Sequence, residues 1–449
     1  MKKTFPLLSL VAAGLILGGC NASKSALNID KNQLEQDIAY LASDDLKGRK
    51  SFSAEIDVAA DYIEKRFETM GLKPLSGSNS FKQQFHLHIV KPLDVSVRIN
   101  EVDISAEHVG VASQSAGFSW LNNDDVTITY IDATMDVRNT LRNINSQGGN
   151  HLVMVDNTHK DMFVRYQNYF NAGLSKLELK DQGALVMVLS NETDVTSLNV
   201  KVVNEVTSQR LTNVVGMLPG RQADADVVLF SAHYDHLGQS KDEQHAHNND
   251  SEQDTIYNGA NDNASGTGAM LNLAQHYAHL ADNERTLMFA AFTAEEMGLI
   301  GSEHFAKTQN PDQIAAMINI EMIGKPSAFG SGNLWMTGAD KSDLKTVLNQ
   351  SLPEENHIQA NPYPKLNLFY RSDNASLASL GVPAHSFSST DMENNDHYHT
   401  VNDELANLDF DSIYKSVMLL AKASAPLARA ELTPSRVAPL TDKSEGKIY

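Results

Sequence analysis

Among 449 residues the chain has one cysteine, Cys20, and two tryptophans. A lone cysteine forms no intramolecular disulfide and builds no thiolate zinc site, so any metal must be held by histidine and carboxylate. Basic residues are scarce as well: 36 Lys and Arg against 56 Asp and Glu give a formal charge of −20. Phosphate backbones need concentrated Lys and Arg, and this balance argues against a nucleic-acid-binding surface. Beyond the N-terminus no apolar run reaches the roughly 18 residues of a spanning helix, which excludes a polytopic membrane protein. There is no internal repeat and no low-complexity tract. What is present is ordinary for a globular protein, with 41% hydrophobic and 20% charged residues. At roughly 150 residues per domain the length suggests about three units.

Lys2 and Lys3 precede an apolar stretch from Leu7 to Leu17, which ends Leu17-Gly18-Gly19-Cys20. A charged start, a short apolar core and small residues form the pattern of a secretory signal. With the only cysteine at that point, the segment resembles a bacterial lipoprotein signal, cleaved before a cysteine that becomes lipid-modified. Residues 1–19 are therefore expected to be a signal peptide and Cys20 the lipidation site. By the same resemblance, Asn21 favours the outer membrane, facing periplasm or exterior. The alternative is an ordinary signal peptide with an incidental cysteine.

Residues 20–88 predict two helices, with Leu34, Ile38, Leu41 and then Ile56, Ala60, Ile63, Phe67 at helical spacing and a turn at Gly48-Arg49. Residues 89–205 alternate over short runs and predict a β-rich insert. Its later part, His151–Val155 and Gly183–Val188, predicts two buried strands joined through a helix. Across 206–432 strands and helices alternate, which predicts an α/β fold, a mostly parallel doubly wound sheet with helices on both faces. Residues 433–449 lack periodicity and predict a loose tail.

Open α/β sheets bind ligands beyond the carboxyl ends of their strands, and those ends carry metal-ligand types here. His233 and Asp235 follow the strand Val227–Phe230, with Asp235 able to orient the imidazole. Glu295-Glu296 follow Thr286–Phe292, and Glu321 follows Ala315–Ile320. Asp262 lies in the turn Asn258–Gly266, just before a helix, and Asp396-His397-Tyr398-His399-Thr400 comes near the end. Each piece is weak alone; together, at successive ends of one sheet, they form a specific pattern.

That order resembles the M28 family of co-catalytic zinc peptidases. Asp45-Leu46-Lys47-Gly48-Arg49, Gly71-Leu72-Lys73-Pro74 and Asn213–Gly220 extend the likeness over about 32–85 and 205–430. The resemblance implies a fold of the zinc-exopeptidase type and two Zn2+ ions, with Mn2+ or Co2+ also suited to such ligands. It implies that Asp262 bridges the ions, that Glu296 and His399 complete one site, and that His233 and Glu321 complete the other. Glu295 is implied as general base, and Asp235 as the residue behind His233. Glu321 stands where Asp is commoner, and Asn261 where Asp often precedes the bridging residue. His236 and His397 flank the ligands, and His397 is an alternative to His399; His245 and His247 read as solvated. The insert is similar, in poor detail, to a protease-associated domain.

The expected activity is hydrolysis of terminal peptide bonds, foremost by an aminopeptidase tethered through its lipid to the cell envelope. Phe369–Asn374 is similar to the family's substrate loop, which makes Arg371 and Asp373 the candidate substrate-binding residues. Arg371 could bind a substrate carboxylate, leaving a dipeptidase or carboxypeptidase open. A one-zinc transferase similar to glutaminyl cyclase and an inactive binding module on the same fold also remain.

Overall fold

The computed structural model describes residues 1, 27–122, 124–222, 224–240, 254–439 and 447–449. The expected signal peptide beyond residue 1, Cys20, His245 and His247 lie outside the described residues.

Two helices come first, α1 (Lys31–Leu41) and α2 (Ala54–Met70), with a 3₁₀ turn at Asp44–Arg49 between them. Asp30 caps α1 by accepting the N–H groups of Asn32 and Gln33, and Ser53 caps α2 through Ile56. The apolar positions at helical spacing are all buried.

Two long antiparallel strands follow, β1 (Lys82–Ile99) and β2 (Leu198–Leu218). They run through the expected boundaries at 88/89 and 205/206, so one ribbon joins the central sheet at one end and carries the insert at the other. Strands 109–113, 127–131, 151–155 and 184–189 form a separate four-stranded sheet, the last three mutually parallel. The helix 160–172 connects 151–155 to 184–189, as expected from the sequence. A second helix, 137–147, makes the insert an α/β layer rather than simply β-rich. It buries Val137, Leu141 and Ile144, an i, i+4, i+7 stripe on an otherwise polar helix that the reading of short alternating runs passed over.

In the central sheet β3 (Val227–His233) is joined through α3 (Gly266–Leu280) to β4 (Leu287–Phe292); β5 (Ile314–Ile320) and β6 (Ala384–Ser388) follow, then α4 (Phe410–Ala428). Strands β6, β5, β3 and β4 lie parallel in that spatial order, and antiparallel β2 and β1 extend the sheet. Val228, Phe230 and Ala232 pack into the core shared with α1, α2, α3 and α4, while Leu229 packs with Phe305 and Leu377 on the opposite face. Burial on both faces is what parallel strands require. Because β4 and β5 flank β3 on opposite sides, the strand order reverses at the carboxyl end of β3, where a crevice opens.

The tail corrects the sequence reading. Ser435 hydrogen bonds to Asp343, Arg436 donates to the carbonyls of Pro311 and Ile314, and Ile448 is fully buried in the insert's core. These partners lie far away in the chain, so nothing local signals the docking. Among the described residues no helix is long and apolar enough to cross a membrane.

Candidate metal centre

His233 ends β3 at the reversal point. Its Nε2 lies 3.2 Å from Asp262 Oδ1 and 3.2 Å from Glu321 Oε1. His399 Nε2 lies 3.2 Å from Asp262 Oδ2 and 3.2 Å from Glu296 Oε2. Asp262 thus turns one carboxylate oxygen toward each histidine. Ligand atoms about 2.0–2.2 Å from a tetrahedral ion stand about 3.3 Å from one another, close to the distance of each histidine from its two carboxylates. His399 Nε2 is buried and makes no hydrogen bond, an orphaned atom that an ion among these three residues would satisfy. Imidazole and carboxylate without sulfur suit zinc, manganese and cobalt.

His236 also enters the cluster, with Nδ1 2.8 Å from Glu296 Oε1 but 4.0 Å from Asp262 Oδ2. The longer distance makes it a hydrogen-bond partner of Glu296, and His399 the better placed of the two to share an ion with Asp262. His397 Nδ1 instead lies 3.1 Å from Lys325 Nζ, so the structure favours His399 over it.

The backbone explains how these side chains converge. Asp235 is fully buried; its Oδ1 accepts the Glu295 N–H at 3.1 Å, and its main-chain oxygen lies 3.1 Å from His233 Nδ1. It therefore orients both residues from behind. The turn before Asp262 needs Gly259, at φ 57°, because a Cβ there would stand 2.2 Å from Asp262 O and 2.6 Å from the His236 ring. Asn261 accepts the Gly324 N–H at 2.7 Å and donates to Thr390 at 3.0 Å. Those paired roles suit an amide, which accounts for Asn at this position. Glu321 is held by Ser372 Oγ, which donates to Oε2 at 2.7 Å, and Ser372 in turn accepts from Asn319 at 2.8 Å.

Residues 213–424, which contain all of these ligand candidates, match the model of peptidase family M28. That segment belongs to the family. A probable zinc metalloprotease of Pyrenophora teres f. teres is 34% identical over 120 residues, 26% of this chain and 24% of that protein. A probable leucine aminopeptidase of Trichophyton verrucosum is 28% identical over 237 residues, 50% of this chain and 57% of that protein. The chain thus spans from about a quarter to just over half the length of these curated relatives. The solved structure of BSAP, a zinc aminopeptidase from Bacillus subtilis, shares the fold at a TM-score of 0.53 and 15% identity, covering 94% of this chain and 100% of that one.

Four carboxylates of the M28 segment line one cleft: Asp262, Glu295, Glu296 and Glu321. Burial opposes ionisation of Asp262, but the adjoining His233 and His399 outweigh it and hold the group far below the usual carboxyl range. Burial pushes Glu295 well above that range; His233 opposes the shift, and the charges of Glu321, Asp373 and Glu296 add to it. A carboxyl with raised proton affinity beside ligand groups is suited to proton transfer.

Leu299, Trp335, Leu368 and Met392 make an apolar wall of the same cleft, and Arg371 lines it as well. Arg371 is exposed and forms no ion pair among the described residues. Asp373, read from the sequence as a substrate residue, is fully buried and does not line the cleft. The bend after Arg371 turns its side chain inward, where burial pushes its pKa up to about 7. Two contributors went unread in the sequence. Asp403 accepts the backbone N–H groups of Asn261 and Asp262, each at 2.9 Å. Tyr398 stacks on His399 with ring centroids 3.8 Å apart.

Proposed function

We propose that the protein is a zinc-dependent aminopeptidase using two ions and removing residues from the amino end of peptides. The observation that carries this reading is Asp262, with each carboxylate oxygen 3.2 Å from a different histidine. His233, Glu321 and Asp262 would hold one ion, and His399, Glu296 and Asp262 the other. When bound, such ions supply Lewis acidity for a water and for the scissile carbonyl.

The remaining roles belong to the chain's own groups. Glu295 takes a proton from the water as its oxygen bonds to the carbonyl carbon, and delivers a proton to the leaving amine as the C–N bond breaks. Asp235 keeps Glu295 in place through its backbone N–H. The carboxylates attract a free α-ammonium group, which favours cleavage at the amino end. The apolar wall offers the first side chain a dry surface, so large apolar residues are the expected preference.

One observation favours a second reading: Arg371, exposed on the cleft wall and without an ion pair among the described residues, could grip a substrate carboxylate bidentately, as a carboxypeptidase or dipeptidase requires. Anchoring through a lipid on Cys20 is proposed alongside, on the strength of the N-terminal sequence pattern.

Elemental analysis together with product analysis tests the proposal. About two divalent ions per chain and release of N-terminal residues are expected. One ion with cyclisation of N-terminal glutamine would replace it with the transferase reading, and metal-free protein without turnover with a binding module.

A further inference from the structure

We infer that Arg49, which lies before the M28 segment, is a positioning residue for the metal centre, clamping the two loops that carry His233 and Asp262. The inference rests on the metal-centre reading above. Arg49 is fully buried. Its Nε donates at 2.7 Å to the carbonyl of Tyr234, the residue between His233 and Asp235. Nη1 donates at 2.7 Å to Asn258 O and also to Leu41 O, and Nη2 donates at 3.1 Å to Gly259 O. Its own carbonyl accepts the His236 N–H at 3.3 Å. A single residue therefore ties the end of β3 to the turn before Asp262 and fastens both to the last residue of α1.

A buried guanidinium bonded to carbonyls is often structural glue. Here three of its four acceptors, Tyr234, Asn258 and Gly259, lie within four positions of a proposed ligand. Only a planar fork with five donors can span them; an ammonium donates from one point. Charge points the same way. Burial lowers the Arg49 pKa to about 10, with Asp235, Asp403, Asp262 and Glu296 opposing, so it stays charged at neutral pH. Those are carboxylates of the centre and its support, and the cation offsets part of their mutual repulsion.

The turn delivering Arg49 is shaped for close approach. Lys47, Gly48 and Arg49 all have left-handed φ, at 41°, 67° and 47°. A Cβ on Gly48 would stand 2.3 Å from Tyr257 O and 2.6 Å from Gly238 O, so only glycine allows the contact.

Zinc affinity by equilibrium dialysis and the Co2+ absorption spectrum, measured on wild type, Arg49→Lys and Arg49→Gln, provide the test. The folded variants are expected to bind zinc about 10–100-fold more weakly, with an altered cobalt spectrum. Wild-type affinity and spectrum, with only a lower melting temperature, would overturn the inference. Hydrogen exchange on the wild-type protein decides the matter even if both variants fail to fold. The His236 amide, which donates to Arg49, should exchange more slowly with zinc bound; an unchanged rate overturns the clamp. A wild-type protein that binds no zinc would instead remove the metal-centre reading itself, a distinguishable result.

Discussion

Asp403 accepts the backbone N–H of Asp262 at 2.9 Å, from a position 141 residues further along the chain. Its other oxygen takes the N–H of Asn261, so the peptide leading into the proposed bridging carboxylate rests on one buried acid. Asp403→Asn puts an amide donor opposite one of those N–H groups. The expected cost is about 1–3 kcal/mol of stability and about 10–100-fold in zinc affinity. Thermal melts and equilibrium dialysis check both, and wild-type zinc affinity would remove Asp403 from the support of the centre.

Glu295→Gln separates chemistry from metal binding. Glutamine keeps the size and the backbone bond to Asp235 but cannot accept a proton. Zinc content should stay at the wild-type level while kcat falls about 10²–10⁴-fold. Hydrolysis of amino-acid amides at the wild-type rate would show that another group acts as base.

If His399 holds an ion as proposed, proton and metal compete there. In the metal-free protein burial lowers its pKa, but contact with Asp262 and Glu296 outweighs this and carries it up to about 10. A folded pKa above the unfolded value of about 6.5 gives stability that is complete below about pH 6.5 and lost as pH rises toward 10. The raised pKa of Glu295 acts in the same direction, because ionising that carboxyl costs the folded state more than the unfolded one. Melting temperature of zinc-free protein should therefore fall across this window, whereas zinc affinity should rise as the competing proton is removed. A flat zinc-free profile would mean that His399 is not held against the two carboxylates.

The pattern of strand ends was legible because ligand types recur after successive apolar runs, and a parallel sheet brings those ends together. His233, Asp262, Glu296, Glu321 and His399 converge as that reasoning requires. The supports were not legible. Asp403 is one acid among many, and only the fold brings it under the turn at Asn261 and Asp262. Arg49 was visible in the Lys47-Gly48-Arg49 turn, but not its three distant carbonyl partners, Tyr234, Asn258 and Gly259. The burial of Asp373 was not legible either, because a Ser-Asp motif names residue types without saying which side chain faces the cleft. The docked tail escaped for a related reason, since its few apolar residues gain meaning only from partners far off in sequence, whereas the helix 137–147 carries a local stripe at Val137, Leu141 and Ile144 that the β-rich reading overlooked.

Arg371 distinguishes the two terminal specificities. Arg371→Met should leave hydrolysis of amino-acid amides, which lack a free carboxylate, near the wild-type rate. If the residue grips a carboxylate, KM for free dipeptides should rise about tenfold or more, in line with loss of a charge-assisted pair of about 1.5–3 kcal/mol. Unchanged dipeptide KM would leave Arg371 without a substrate role.

Anchoring is open to a direct check. Cys20→Ser should move the protein from the membrane fraction of cells to the soluble fraction, since the thiol is the only site for the expected lipid. Unchanged membrane association would remove the anchor from the proposal.

The most direct measurement compares a free and an N-acetylated form of one leucyl peptide, each with and without chelator. The account predicts release of leucine from the free peptide only, abolished by chelation and restored by zinc. Cleavage of the acetylated peptide at a similar rate, or cleavage that survives complete metal removal, would contradict it.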